Sequence, residues 1–166
     1  ETTTNALSEG VRLLIENPKA WDQVKTDPDE YVPKLAEEVL RLEGPVQGLF
    51  RSAAVDIEMH GVTIPAGSVI NVRYAAANRD EAQFACPADM DLDRENLRSH
   101  LAFGFGVHHC LGAPLARREL IHGFRALVDR IDEMWFIEGA NDFGHHPNFC
   151  LRALRELHIG FRPAGR

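Results

Sequence analysis

Apolar positions recur along this chain with a helical period at both ends and a strand-like alternation between. Leu7, Val11, Leu14 and Ile15 stand at i, i+4, i+7 and i+8, which predicts a helix running to about Asn17. Pro18 is expected to close it. A short helix over 19–25 carries Trp21 and Val24 on its apolar side, a placement that reads as core. The Asp27-Pro28-Asp29 turn leads into a helix in which Val32, Leu35, Ala36, Val39 and Leu42 form one stripe. Gly44-Pro45 breaks that pattern, and 46–51 reads as extended. Residues 53–67 alternate and turn like a small β-sheet, with His60-Gly61 as a two-residue hairpin turn and Pro65-Ala-Gly67 as a second turn. Val69, Ile70 and Val72 make a further β-prone run. A turn-rich, weakly periodic connector follows. Helical spacing returns with Leu120, Phe124, Leu127, Val128 and Ile131, and Pro114 suits the first turn of that helix. Residues 134–138 then predict a strand, and the remainder through Phe161 a terminal hairpin. The fold class is mainly α with small β-sheets, an α+β arrangement.

Bulk properties narrow the picture without naming a function. The chain has 166 residues, 45% hydrophobic and 26% charged, which suits one globular domain with a real core. No apolar run approaches the ~20 residues that span a bilayer, and no signal-peptide pattern opens the chain. A net charge of −7 argues against nucleic acid as a partner, because phosphate binding needs a positive face. Cys86, Cys110 and Cys150 are an odd set without framework spacing, which suits a reducing compartment such as the cytoplasm and one special thiol.

That thiol lies in Phe103-Gly-Phe-Gly-Val-His-His-Cys-Leu-Gly112. Cys110 sits just ahead of a predicted helix N-terminus, where the macrodipole and free N–H groups favour negative charge. Thiolate is the form that binds metal. Gly104, Gly106 and Gly112 remove side chains where a flat ligand and a sulfur would need close backbone approach. A cysteine in isolation is more often a small buried hydrophobe, but a cysteinate in a glycine loop is also one of the few ways to hold haem iron by sulfur. Phe103, Gly106, His108, Cys110 and Gly112 match F-x-x-G-x-H-x-C-x-G, which resembles the haem-binding loop of the cytochrome P450 family. Ala113, Leu115, Ala116, Arg117 and Glu119 continue the resemblance into the next helix. The resemblance implies haem b (iron protoporphyrin IX) as cofactor, Cys110 as the metal ligand, and Phe103, Gly104, Gly106, His108, Gly112 and Ala116 as cofactor-binding residues.

Further positions join the same pattern. Glu38-Val-Leu-Arg41 matches the family's E-x-x-R, and Arg94 the second arginine that joins it. This trio is expected to be structural, because a buried carboxylate between guanidiniums is satisfied only if every partner is present. By resemblance Arg51 and His108 contact haem propionates, while Val46, Leu49, Phe50 and Phe149 line an apolar substrate pocket, which the 147–151 turn faces. Met90 stands where phenylalanine is more usual. Glu1-Thr2 resembles the acid–alcohol pair of the family's long central helix, expected to deliver protons to bound O₂. On that reading the chain is the C-terminal portion, 1–166, of a single P450 domain whose upstream half lies outside it. The implied activity is monooxygenation of a small apolar organic substrate by O₂. Electrons come from a ferredoxin or flavodoxin-like donor, since no flavin or nicotinamide fingerprint is present, and Arg98, His109, Arg117 and Arg118 could form its docking patch. Three alternatives stand beside this: an inactive fragment needing another chain to bind haem, peroxide-driven oxidation, and a zinc site drawn from His100, His108, His109, His145, His146 and Cys110.

Overall fold

The computed structural model describes residues 1–165. Three helices open the chain, α1 (Thr2–Glu16), α2 (Pro18–Thr26) and α3 (Pro28–Glu43). Four short strands follow, β1 (Leu49–Ser52), β2 (Ile57–Met59), β3 (Val62–Ile64) and β4 (Val69–Val72), then the single turn of α4 (Tyr74–Ala77). After a long connector come α5 (Ala113–Arg130), β5 (Ile131–Phe136) and β6 (Ile159–Pro163). The strands form three two-stranded antiparallel sheets, β1 with β4, β2 with β3 and β5 with β6. The α+β reading is thus observed.

Local chemistry sets most boundaries. Asp27 caps α3 by accepting from the Glu30 N–H at 3.1 Å, a side-chain oxygen meeting one of the helix's orphan donors. His60 and Gly61 both take positive φ, 50° and 77°, as a tight hairpin turn between β2 and β3 requires. Two expectations are corrected. Pro18 opens α2 rather than only closing α1, because a first-turn proline lacks a donor the helix cannot use. The terminal hairpin is present only in part: 144–155 closes antiparallel about the 147–151 turn, with His145 bridged to Leu154, but the last strand leaves it. β6 returns to pair with β5, which begins at Ile131, the residue that ends the helical stripe. Periodicity along one segment cannot reveal a partner so far away in sequence.

The core is the meeting of α1, α2, α3 and α5, centred on Leu14, Val24, Leu35, Val39, Leu120 and Phe124, all essentially solvent-free. Burying a side chain such as Phe124 contributes roughly 1.5–3 kcal/mol. The α1–α5 crossing is unusually close. A Cβ on Gly10 would lie 2.3 Å from Phe124 Cζ, and one on Gly123 would lie 2.8 Å from Leu7 Cδ2. Together with a hydrogen bond from Thr3 Oγ1 to Glu119 Oε2 at 2.9 Å, these contacts advance along both helices in the same direction. The N-terminal ends of α1 and α5 therefore meet at one end of the bundle.

Candidate functional site

Cys110 lies just ahead of α5, in a loop whose shape is set by its backbone. The Cys110 N–H donates to the Phe103 carbonyl at 2.9 Å, that of Gly104 to Leu101 at 2.9 Å, and that of His109 to Gly106 at 3.0 Å. Gly104 and Gly106 both stand at φ +72°, where a side chain is strained. Gly112 is different: its φ is −79°, and a Cβ there would meet Cys110 Sγ at an ordinary 3.8 Å. The loop's apolar side chains project outward, with Phe105, Val107 and Leu111 between 85% and 98% exposed.

A cavity of about 470 Å³ opens beside this loop, within the range of about 300–1,000 Å³ common for cofactor and ligand sites. Cys110, His108, Gly104, Gly112, Phe103 and Ala116 line it on the loop and α5 side. Thr2 and Thr3 line it from α1, and Val46 and Leu49 from the segment after α3. Tyr74, Ala102, Leu115 and Glu119 complete most of the rest, so the walls are largely apolar. Other expected residues lie elsewhere. Glu1 is exposed and does not line the cavity, nor do Gly106, Arg51, Phe50 and Phe149. Arg51 donates to its neighbour's carbonyl, Phe50 O, at 2.8 Å, and Phe149 is 84% exposed.

Behind the loop stands a layer of buried charge on α3. Both Glu38 oxygens accept from Arg41, Nε and Nη2 each at 2.7 Å, a bidentate fork that lysine cannot reproduce. Arg41 also donates to the carbonyls of Asn78, Pro87 and Asp89, and Arg94 to those of Ala85, Cys86 and Asp89. Arg94 Nε stands 3.5 Å from Glu38 Oε1, which further accepts the Asp91 N–H at 3.0 Å. Both guanidiniums stack near the buried Phe84 ring. The connector between α4 and the cysteine loop is aperiodic for this reason: its carbonyls are paired with two arginine side chains instead of a ladder.

A second group on α3 escaped the sequence reading. Glu37 accepts from Arg117 Nε at 2.7 Å and from His100 Nε2 at 3.0 Å. The Ala102 N–H donates to His100 Nδ1 at 3.2 Å, which assigns the ring hydrogen to Nε2. Burial pushes the Glu37 carboxyl upward, but the hydrogen bonds from His100 and Arg117 and the charge of Arg117 outweigh it and hold it at about 2, against an ordinary 4.5. Arg117 Cζ also sits 4.6 Å from the centroid of the Phe103 ring. Arg117 is thus committed inward, and of the expected docking patch Arg98, Arg118 and His109 remain exposed. The only signal for Glu37 was its place beside Glu38; for His100, its place just ahead of the cysteine motif. As for the zinc alternative, among the described residues one group of three or more potential metal-ligating side chains converges, Glu9, Glu43 and His145, and it does not include Cys110.

Comparison with known proteins gives a consistent result. A family model described as "Cytochrome P450" matches residues 1–130. A putative cytochrome P450 140 of Mycobacterium tuberculosis is 43% identical over 164 residues, which is 99% of this chain and 36% of that protein. A steroid C26-monooxygenase of the same species is 35% identical, over 99% of this chain and 41% of its own length. Among solved structures, cytochrome P450 CYP150A6 of Mycobacterium marinum in its substrate-free form superposes with a TM-score of 0.94 at 36% identity, over 99% of this chain and 42% of that one. The chain spans less than half the length of each of these relatives.

Proposed function

The chain belongs to the cytochrome P450 family, whose cofactor is haem b, and on that premise we propose that residues 1–166 are the haem-ligating C-terminal portion of a single P450 domain in a haem-thiolate monooxygenase. One observation supports this most: Cys110 and Thr2, brought by opposite elements, line the same apolar-walled cavity. The donor set fits the cofactor. A single thiol at a helix start, an adjacent imidazole in His108 and flat apolar walls suit a macrocycle held through one sulfur, whereas a structural zinc would need three more converging ligands.

Haem ligated by thiolate supplies the oxidising power to place one oxygen atom of O₂ in a substrate. The chain's residues supply the setting. Cys110 is the iron ligand, in a loop fixed by the Phe103 carbonyl and the two left-handed glycines. His108 offers ring N–H donation at the cavity edge, suited to a propionate. Gly104, Gly112 and Ala116 leave room for the ring, with Phe103 packed behind. Gly106 and Arg51 enter as expectations of the family pattern, Arg51 as a propionate contact after its side chain turns from Phe50. Thr2 holds an exchangeable hydroxyl proton on the α1 side of the same cavity, and Glu1 precedes it as a proton source. Val46 and Leu49 exclude water and favour a small apolar organic substrate; Phe50 and Phe149, which lie off the cavity lining, enter only as expectations of the family pattern. Glu38, Arg41 and Arg94 keep the loop's support in place. Electrons come from a ferredoxin or flavodoxin-like donor, and the compartment is the cytoplasm. No helix among the described residues is long and apolar enough to cross a membrane.

The test is the absorption spectrum of the whole protein, reduced and exposed to carbon monoxide. The thiolate-haem band at the wavelength that names the family is expected, with its complete loss in Cys110→Ser. An unchanged pigment in that variant would overturn the assignment.

A further inference from the structure

A second buried cluster lies on the far side of the cavity wall, and neither the haem reading nor the family motifs use it. Glu9 of α1 is fully buried and Glu43 at the end of α3 nearly so. Arg12 Nε lies 2.8 Å from Glu9 Oε2 and Arg12 Nη2 3.2 Å from Glu43 Oε1. The remaining Glu9 oxygen, Oε1, meets His145 Nε2 at 2.6 Å, and Arg152 Nε lies 2.7 Å from Glu43 Oε2 as an ion pair without hydrogen-bond alignment. Glu16 on Arg12 at 2.8 Å and Arg79 on Glu43 at 3.3 Å close the cluster at its edge. Two carboxylates are thus faced by Arg12 and Arg152, so the group is neutralised by the chain's own side chains and needs no cation.

His145 and Arg152 both come from the loop 144–155, and that loop is stitched to the cavity wall. The Gln47 N–H donates to Cys150 O at 2.7 Å and the Arg152 N–H to Pro45 O at 2.8 Å, with Val46 bridged to Leu151 between them. Pro45, Val46 and Leu49 line the cavity. The loop closes on itself through the His146 N–H to Ala153 O at 3.0 Å and the Arg155 N–H to Gly144 O at 2.9 Å.

We propose that His145 and Arg152 form a two-point clamp that holds this loop on Glu9 and Glu43 and thereby fixes the cavity wall at Pro45, Val46 and Leu49. His145 is then a positioning residue for an apolar ligand lying against that wall. The clamp itself does not rest on the haem assignment. Removing His145 leaves Glu9 Oε1 buried with no partner nearer than Arg152 Nε at 3.9 Å, and a buried carboxylate oxygen without a donor is strongly disfavoured.

The experiment measures amide hydrogen exchange at Gln47 and Arg152 in the whole protein. In His145→Ala both amides should exchange about tenfold faster, the loss of one buried hydrogen bond. In His145→Gln, whose amide can still donate to Glu9, both should stay near the wild-type rate. In a Glu9→Gln background the alanine change should add little. Unchanged exchange in His145→Ala, or an equal rise in the alanine and glutamine variants, would overturn the clamp. Should His145→Ala fail to fold, His145→Asn replaces it, since its shorter amide falls short of Glu9. In haem-loaded protein, 4-phenylimidazole followed by absorbance should bind several-fold more weakly in His145→Ala while imidazole binds as before; equal changes for both would count against a role at the wall. Wild-type protein that takes up no haem would overturn the functional reading, and the exchange rates would still decide the clamp.

Discussion

The acidic face of α3 and the cysteine loop lie against each other, yet they are held by opposite means. On α3 the side chains decide: Glu37, Glu38 and Arg41 are buried and each finds a specific charged partner. In the loop the backbone decides: two glycines at φ +72° and three short N–H···O bonds give the shape, while Val107 and Leu111 are almost wholly exposed. The difference teaches how a loop beside a cavity can stay open on one side. Its rigidity is supplied from behind, through Arg117 on Phe103 and His100 beside Ala102, which leaves His108 and Cys110 on the cavity lining while Val107 and Leu111 face outward.

This contrast can be broken most severely at α3. Glu38→Gln or Arg41→Ala should destabilise the protein by about 3–5 kcal/mol, because the surviving member is left as an uncompensated buried charge. Chemical denaturation measures it, and a loss below about 1 kcal/mol would mean that the pair is dispensable. The next effect is a pH dependence. The Glu37 carboxyl is held at about 2 against an ordinary 4.5, so its contribution is present above pH 4.5 and is lost as pH falls toward 2. The unfolded state binds the extra proton across that window, so stability rises with pH there. The span corresponds to on the order of 3 kcal/mol, and Glu37→Gln should flatten the curve between those limits. Smallest is a backbone change in the loop. Gly106→Ala should cost about 1–2 kcal/mol through its left-handed φ alone, since a Cβ there meets nothing within 4 Å. Val107→Ser beside it, nearly fully exposed, should move stability by less than about 0.5 kcal/mol. If the serine change exceeded the alanine change, the loop would be held by its side chains after all.

The same contrast explains what could be read in the chain beforehand. The α1 and α3 stripes, the hairpin turn at His60-Gly61 and the α5 start at Pro114 follow from local rules, and the sequence shows them. Cys110, His108 and Thr2 were legible as a motif, and they share one cavity. Glu37 with His100, Glu9 with His145, and Thr3 with Glu119 were not legible. Each joins residues far apart in the chain, and a buried carboxylate on a helix looks in sequence like a solvated one. The β5–β6 pairing was hidden for a related reason, because a strand's own pattern does not name its neighbour. Arg51, Phe50 and Phe149 show the converse: a motif position can be matched while its side chain stands outside the cavity lining.

The tight α1–α5 crossing has a consequence for any attempt to reshape the site. With Gly10 pressed on Phe124 and Gly123 on Leu7, the two rods behave like the arms of pliers riveted near their middle, Thr2 at one tip and Cys110 close to the other. The gape between the tips is held at the rivet and, nearer the tips, by the Thr3–Glu119 hydrogen bond. A methyl group added at Gly10 would press on Phe124 and push the two rods apart without touching the guest at all.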